Sequence, residues 1–553
     1  MTRIVECVPN FSEGRDMSII DQITAEISAV DHVELLDVDP GKDTNRTVVT
    51  FAGTPETIGE AAFRAIRKAS ELIDMTRHSG AHARLGATDV CPFVPVSGVT
   101  MEDCVEIARQ VGERVARELK IPIYLYAEAA TRPERRRLPD IRQGEYEALP
   151  EKLKNPDFAP DFGAPAFNPR SGATVIGARD FLIAYNINLN TRSVKLANKV
   201  AKRVREKGRK VKNPETGKRE TVPGTLKGVQ GIGWYIDEYN MAQVSVNILN
   251  YHETPLYRVF EECDRFGREF GVRVTGSELV GLIPLQAMIA TGRHFLRKQG
   301  VSTGVSEREL VRVAVQSLGL DELAPFSAEK RIIEYRFRRK GRLASMDTYG
   351  FTEELASDSP APGGGSVSAL IGSLSAGLST MVANLTSGKL KFKAVRGEMI
   401  QLAERGQELI AFFNDAIDRD TEAFNCIMDA LSMPKGSDAE IARRQEVLEE
   451  ATRGAVRVPL GVLEKSVVAA ELALVAAEKG NPNSLSDAGV AGLAAAASAR
   501  GAWYNVRINL EGFEDGDFTA ETVEQADQWL KRVDATASRI RDIMEKAFKQ
   551  GDR

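Results

Sequence analysis

His78-Ser79-Gly80-Ala81-His82-Ala83-Arg84-Leu85-Gly86-Ala87-Thr88-Asp89-Val90-Cys91-Pro92-Phe93-Val94-Pro95 is a small-residue loop that runs into an apolar, proline-bounded strand. It holds two of the five histidines, an arginine and an aspartate. Packing has no need of so many polar groups on so little bulk. Gly80, Gly86 and the alanines let backbone approach a ligand closely, and a histidine there moves a proton near neutral pH.

Outward from that loop, strand and helix patterns alternate. Ile4–Val8, Val33–Val38, Thr47–Phe51, Cys91–Val96 and Ile121–Tyr126 read as strands, and Asp16–Ala29 and Glu102–Leu119 as helices. Pro55–Ile73 is a further helix, with Thr54 as its expected cap and Pro55 at its first position. A similar order returns in Phe181–Leu189, Ser193–Arg205, Leu226–Tyr235, Met241–Ile248 and Pro255–Phe270. The recurrence predicts an α+β fold of two related, ferredoxin-like subdomains of the split βαβ kind.

From about Met346 the β-branched alternation fades and long helical patterns take over: Ala369–Leu385, Arg396–Leu431, Asp438–Lys479, Ser486–Arg507 and Ala520–Lys549. These predict an all-α bundle. The expected division is 1–178 and 179–326 for the two subdomains, 327–345 for a charged linker and 346–553 for the helical domain.

The chain has 553 residues, 43% hydrophobic and 27% charged, with a formal net charge of −5. That length implies more than one core, and that charge gives no reason to expect nucleic acid. Basic residues cluster in Lys199–Arg219 and Arg331–Arg342, as solvated loops or as attraction for an anionic substrate tail. Five scattered cysteines without C-x-x-C spacing speak against a zinc site or disulfide framework and for a reducing compartment. The N-terminus lacks a signal-peptide pattern and no uncharged apolar stretch reads as long enough to span a bilayer, so a cytoplasmic protein without membrane partners is expected.

The His78–Pro95 loop resembles the catalytic loop of the formiminotransferase-cyclodeaminase family, and the resemblance runs almost to the C-terminus. It implies a bifunctional folate enzyme of histidine degradation. A first domain would transfer the formimino group from N-formimino-L-glutamate to tetrahydrofolate, expected in its polyglutamylated form, as co-substrate. A second would cyclise 5-formiminotetrahydrofolate to 5,10-methenyltetrahydrofolate with release of ammonia. No metal is expected.

The transfer is an amidine exchange, in which one amine enters and another leaves protonated. A histidine suits both proton movements, and His82 stands at the family's catalytic position. The cationic amidine calls for a carboxylate. Asp39, at the end of the Val33–Val38 strand, is a candidate, or else a turn aspartate before Pro40-Gly41. Arg84 and Lys42 are candidates for the glutamate carboxylates, with Arg46 nearby; Asp89 reads as a local cap and His78 as structural. By resemblance the folate loop is Gly163, Ala164, Pro165, Ala166, Phe167, Asn168, Pro169, Arg170, Ser171 and Gly172. Phe162 and Phe167 offer it an aromatic surface. Asn186 and Asn188 share one strand face, for hydrogen bonds to pterin or to a neighbouring loop. Ala81 and Ala83 depart from the family's glutamate and proline.

In the helical half, Gly363-Gly364-Gly365-Ser366 precedes a small-residue helix without the spacing of a nucleotide P-loop. Together with Thr386-Ser387-Gly388-Lys389 and the 480–487 segment, it resembles the cyclodeaminase. Ile410, Phe413, Ile417, Phe424, Ile427 and Leu431 follow a three–four spacing that predicts a buried seam, and Asp420 falls on it. A carboxyl there is desolvated and suited to proton transfer, and it matches the family's acidic catalytic residue. Asp415, Asp418 and Glu422 fall on a solvated face. A methenyltetrahydrofolate cyclohydrolase and a non-catalytic oligomerisation module are the alternatives for this domain. The Ala-rich Gly489–Ala499 face suggests pairing about a two-fold axis, hence a homo-oligomer built from dimers.

Overall fold

The computed structural model describes residues 3–338 and 341–551. Those up to Thr291, with Ala314–Arg338, form one compact unit; Gly292–Val313 and the residues from 341 onward form another.

The first unit opens with β1 (Ile4–Cys7), β2 (Asn10–Phe11), α1 (Met17–Ser28), β3 (Val33–Gly41), β4 (Arg46–Gly53), α2 (Ile58–Leu72), β5 (Thr88–Ser97), α3 (Met101–Leu119), β6 (Ile123–Ala127), α4 (Leu138–Ile141), α5 (Glu145–Lys152) and β7 (Thr174–Ala178). β3, β4, β1 and β5 pair antiparallel in that order, which is the split βαβ arrangement of β1–α1–β3–β4–α2–β5. β7 and β6 extend the sheet in parallel beyond β5. The period-two pattern sends Val5, Cys7, Val49, Phe51, Cys91 and Phe93 into the core shared with α1, α2 and α3. Val90, Tyr124, Tyr126 and Val175 pack on the other face with Ile141 and Leu149. One helix start differs from expectation. Thr54 to Thr57 form a turn, and α2 begins after Thr57 with no side-chain cap.

The second set is β8 (Ile183–Leu189), α6 (Val194–Val204), β9 (Arg209–Lys212), β10 (Arg219–Val222), β11 (Val229–Ile236), β12 (Met241–Ile248), α7 (Leu256–Glu269) and β13 (Val274–Val280). Its sheet order β11-β12-β8-β13 repeats the same topology. β13 gave little strand signal because Gly276, Ser277 and Glu278 interrupt its β-branched residues. Much of the basic 199–219 stretch forms the exposed β9–β10 ribbon. Helices α8 (Leu285–Gln299), α9 (Glu307–Leu318), α10 (Ala328–Arg331) and α11 (Ile333–Phe337) follow. The segment expected as linker is thus partly structured. Ile332 and Ile333 are fully buried, and Ile333 N–H donates to Ile283 O at 3.1 Å.

The helical unit contains α12 (Thr348–Leu355), α13 (Gly364–Ser387), α14 (Arg396–Ser432), α15 (Asp438–Lys479), α16 (Leu485–Asn509) and α17 (Gly516–Gly551). α13 corrects one expectation: its 24 residues carry no charge and are long and apolar enough to cross a membrane. Much of its surface is buried inside the helical unit, where Ala369, Gly372, Ser375, Ala376, Ser379 and Ala383 let neighbouring helices approach. The Ala-rich face of α16 is also used internally, since a Cβ on Gly489 or Gly492 would meet Met544 or Ile540 of α17.

Candidate functional sites

In the first unit the β3–β4 turn and the 78–87 loop lie against each other. Asn45 Nδ2 donates to Ser79 O at 3.1 Å, and His78 Nε2 lies 2.8 Å from Asn45 O. Gly80 is obligatory here: a Cβ on it would sit 2.1 Å from Thr44 O. This contact brings His82 to Arg46, with Arg46 Nη1 2.8 Å from His82 Nε2. A guanidinium only donates and a carbonyl only accepts. His82 Nε2 is therefore the lone-pair nitrogen, while Nδ1, 2.7 Å from Ala83 O, carries the hydrogen. Desolvation, then the Arg46 charge, holds the His82 pKa below the ordinary histidine value. Both effects favour the neutral form of the imidazole.

Arg46 also donates to Asn10 Oδ1. Its place on β4, two residues before Val48, the partner of Asp39, puts it at the same end of the sheet as Asp39. Asp39 is exposed and acts electrostatically on Arg46. Lys42 is exposed in the following turn.

Arg84 is engaged within the chain. Its buried guanidinium is held by Glu147 at 2.5 Å and Glu145 at 2.9 Å, and its Nε donates to His78 Nδ1 at 3.2 Å. It anchors α5 to the loop, and taking a substrate carboxylate would break two ion pairs. Asp89 is neither an Asx-turn nor a helix-cap group: it is buried in β5, accepts from Leu85 N–H at 2.9 Å and pairs with Arg142.

The 163–172 loop is stitched to the histidine loop. Ala87 N–H donates to Ser171 O at 2.9 Å, Ala173 N–H to Leu85 O at 3.1 Å, and Gly86 bridges Gly172. Gly163 through Ala166 are exposed, with Pro169 and Arg170; Phe167 and Asn168 are half-buried, and Ser171 and Gly172 are buried. Phe167 meets Tyr146 with ring centroids 5.5 Å apart. Phe162 is half-buried and packs on α3 beside Gly112.

Asn188 is fully buried. Its Nδ2 donates to Glu322 at 2.7 Å, and its Oδ1 accepts from Gln243 at 2.9 Å. Asn186 donates to Glu278 at 3.2 Å. Both asparagines take part in a polar network on the sheet face.

In the helical unit, Asp420 on α14 sits at the N-terminus of α13. Ser366 Oγ lies 3.2 Å from Asp420 Oδ2 and 2.8 Å from Ile417 O. Desolvation pushes the Asp420 pKa up, opposed by hydrogen bonds from the Ser366 hydroxyl and backbone N–H. The seam is shorter than its spacing suggested. Phe413 and Ile417 are buried, but Phe424 and Ile427 are half-buried and Leu431 is exposed. Asp420 therefore stands where the seam opens. Ser366 was missed as its partner; the signal was its place directly after three glycines. Asp418 is not simply solvated, for it accepts the backbone N–H groups of Leu343 and Ala344 at 2.8 and 2.9 Å. The Thr386–Lys389 and 480–487 segments meet each other, Asn481 N–H donating to Thr386 Oγ1 at 2.8 Å, but at the opposite end of the 24-residue α13 from Asp420. Among the described residues no group of three or more His, Cys, Asp and Glu is arranged to hold a metal.

Comparison with known proteins finds three family models along the chain. The formiminotransferase domain, N-terminal subdomain, matches residues 4–179; the formiminotransferase domain matches 184–338; formiminotransferase-cyclodeaminase matches 347–528. A formimidoyltransferase-cyclodeaminase of Dictyostelium discoideum is 44% identical over 549 residues, 98% of this chain and 99% of the relative. A glutamate formimidoyltransferase of Streptococcus pyogenes is 44% identical over 297 residues, 54% of this chain and 94% of the relative. A methenyltetrahydrofolate cyclohydrolase of Methylorubrum extorquens is 39% identical over 190 residues, 34% of this chain and 91% of the relative.

Proposed function

The chain belongs to the formiminotransferase-cyclodeaminase family, and on that premise we propose that it performs both reactions. It transfers the formimino group of N-formimino-L-glutamate to tetrahydrofolate, then closes 5-formiminotetrahydrofolate to 5,10-methenyltetrahydrofolate and ammonia. The observation that carries the reading is that each half holds its own proton-transfer group: neutral His82 and desolvated Asp420.

In the transfer, N5 of tetrahydrofolate bonds to the amidine carbon. His82 Nε2 takes the proton from N5 and returns it to the glutamate nitrogen as that C–N bond breaks. Asp39 stabilises the cationic amidine. The stitched 163–172 loop supplies the folate-binding surface beside His82. In the second reaction N10 attacks the same carbon, Asp420 takes the proton that N10 loses, and it delivers that proton to the nitrogen that leaves as ammonia. The α13 N-terminus and Ser366 steady the carboxylate between transfers.

Tetrahydrofolate, with a polyglutamate tail, is a co-substrate, and no metal takes part. The protein works in the cytoplasm as a homo-oligomer built from dimers, without nucleic-acid or membrane partners. An exposed apolar stripe supports self-association: Leu374 and Leu385 on α13, and Val490, Leu493, Tyr504 and Ile508 on α16. The similarity to a cyclohydrolase favours a second reading, in which the helical half hydrolyses methenyltetrahydrofolate. Supplying formiminoglutamate and tetrahydrofolate to the purified protein separates the two. Ammonia formed in step with methenyltetrahydrofolate supports the proposal; glutamate release without ammonia refutes the cyclodeaminase.

A further inference from the structure

We propose that Arg46 reads a carboxylate of the substrate amino acid and that, until that carboxylate arrives, its guanidinium caps the Nε2 lone pair of His82. Substrate binding then uncaps the base. The inference rests on the transferase reading above and assigns its carboxylate site.

Charge pairing sets Arg46 apart from other arginines of this unit. Arg84, Arg135 and Arg142 are all largely buried, and each has a carboxylate partner: Glu145 and Glu147, Asp161, and Asp89. Arg46 is half-buried, yet among the described residues it has no carboxylate within 4.0 Å. Its two Nη atoms donate to the neutral acceptors His82 and Asn10, and its Nε is buried without a hydrogen-bond partner. A partly desolvated guanidinium with an unmet donor is a strong site for a carboxylate, which it can hold through two parallel hydrogen bonds.

The position couples binding to chemistry. A lone pair that accepts from a guanidinium is not available to take a proton from N5. A carboxylate drawing Arg46 onto itself removes that hydrogen bond and neutralises the nearest cation. The other charges acting on His82 are Asp89 on β5 and Arg142 after α4, while Asp39 on β3 acts on Arg46. Asp89 and Arg142 neutralise each other, which leaves Arg46 as the charge whose state changes with substrate.

The test measures the His82 titration by NMR on histidine-labelled protein, with and without saturating L-glutamate, the product amino acid. Steady-state kinetics of the wild type, Arg46→Lys and Arg46→Gln accompany it. Glutamate should raise the His82 pKa in the wild type. In Arg46→Gln that pKa should already be higher and should not respond, while KM for formiminoglutamate rises about 10- to 100-fold and KM for tetrahydrofolate stays unchanged. Glutamate binding that leaves the His82 titration where it was overturns the inference even if the variants fail to fold. An unchanged KM for formiminoglutamate in Arg46→Gln also overturns it. A wild type that never releases glutamate from formiminoglutamate overturns the transferase reading itself.

Discussion

A Cβ placed on Gly365 would lie 2.0 Å from Asp420 Oδ1, so the glycine before Ser366 is what lets the carboxylate reach the α13 N-terminus. Contact that close forces one partner to move. Gly365→Ala should displace Asp420 and lower ammonia release at least about 100-fold, because a group displaced by about 1 Å loses that much rate. Glutamate release by the first unit should be unaffected. Parallel assays of the two products check this.

Arg84 is expected to matter to stability more than to substrate binding. Arg84→Ala leaves Glu145 and Glu147 without their partner and opens a hole under α5. About 1–3 kcal/mol of unfolding free energy should be lost, with KM for formiminoglutamate changed less than in Arg46→Gln. Denaturant unfolding beside initial-rate kinetics tells the two roles apart.

Glu6 provides a pH test of the fold. Burial in β1 raises its pKa to about 7, with Arg179 pulling the other way. A carboxyl whose folded pKa exceeds its unfolded value favours folding most below the unfolded pKa, and that contribution is lost as pH rises through the folded one. Glu6→Gln should therefore stabilise the protein at pH 8, by about 1–3 kcal/mol, and have little effect near pH 4.5. Thermal melts at both pH values check the sign.

The transferase rate should follow the His82 titration. Because desolvation and Arg46 hold the His82 pKa below 6.5, kcat/KM should be flat through neutral pH and decline only on the acid side of that value. A decline centred above 6.5 would mean that some other group governs the rate.

Much of this was readable from residues alone, because local patterning dictates it. Alternating apolar positions placed β1, β4 and β5, and three–four spacing placed α14 and α15. His82 and Asp420 stood out because each is chemically out of place, one in a small-residue loop and one on an apolar seam. Partnerships between distant segments were not readable. Nothing near Arg84 announces Glu145 and Glu147, some sixty residues on, and nothing near His82 announces Arg46, which only the packing of the β3–β4 turn on Gly80 delivers. The fate of Asn188 likewise depends on Gln243 and Glu322, brought in by the sheet and by the segment after α9.

On the proposed function, two separate proton-transfer groups run two successive reactions. The most direct test follows glutamate, ammonia and folate products in the wild type, His82→Ala and Asp420→Asn, each given formiminoglutamate and tetrahydrofolate. The account predicts that Asp420→Asn releases glutamate, forms no ammonia and accumulates 5-formiminotetrahydrofolate, whereas His82→Ala releases neither product yet still deaminates 5-formiminotetrahydrofolate supplied to it. Ammonia release by Asp420→Asn at the wild-type rate would contradict it.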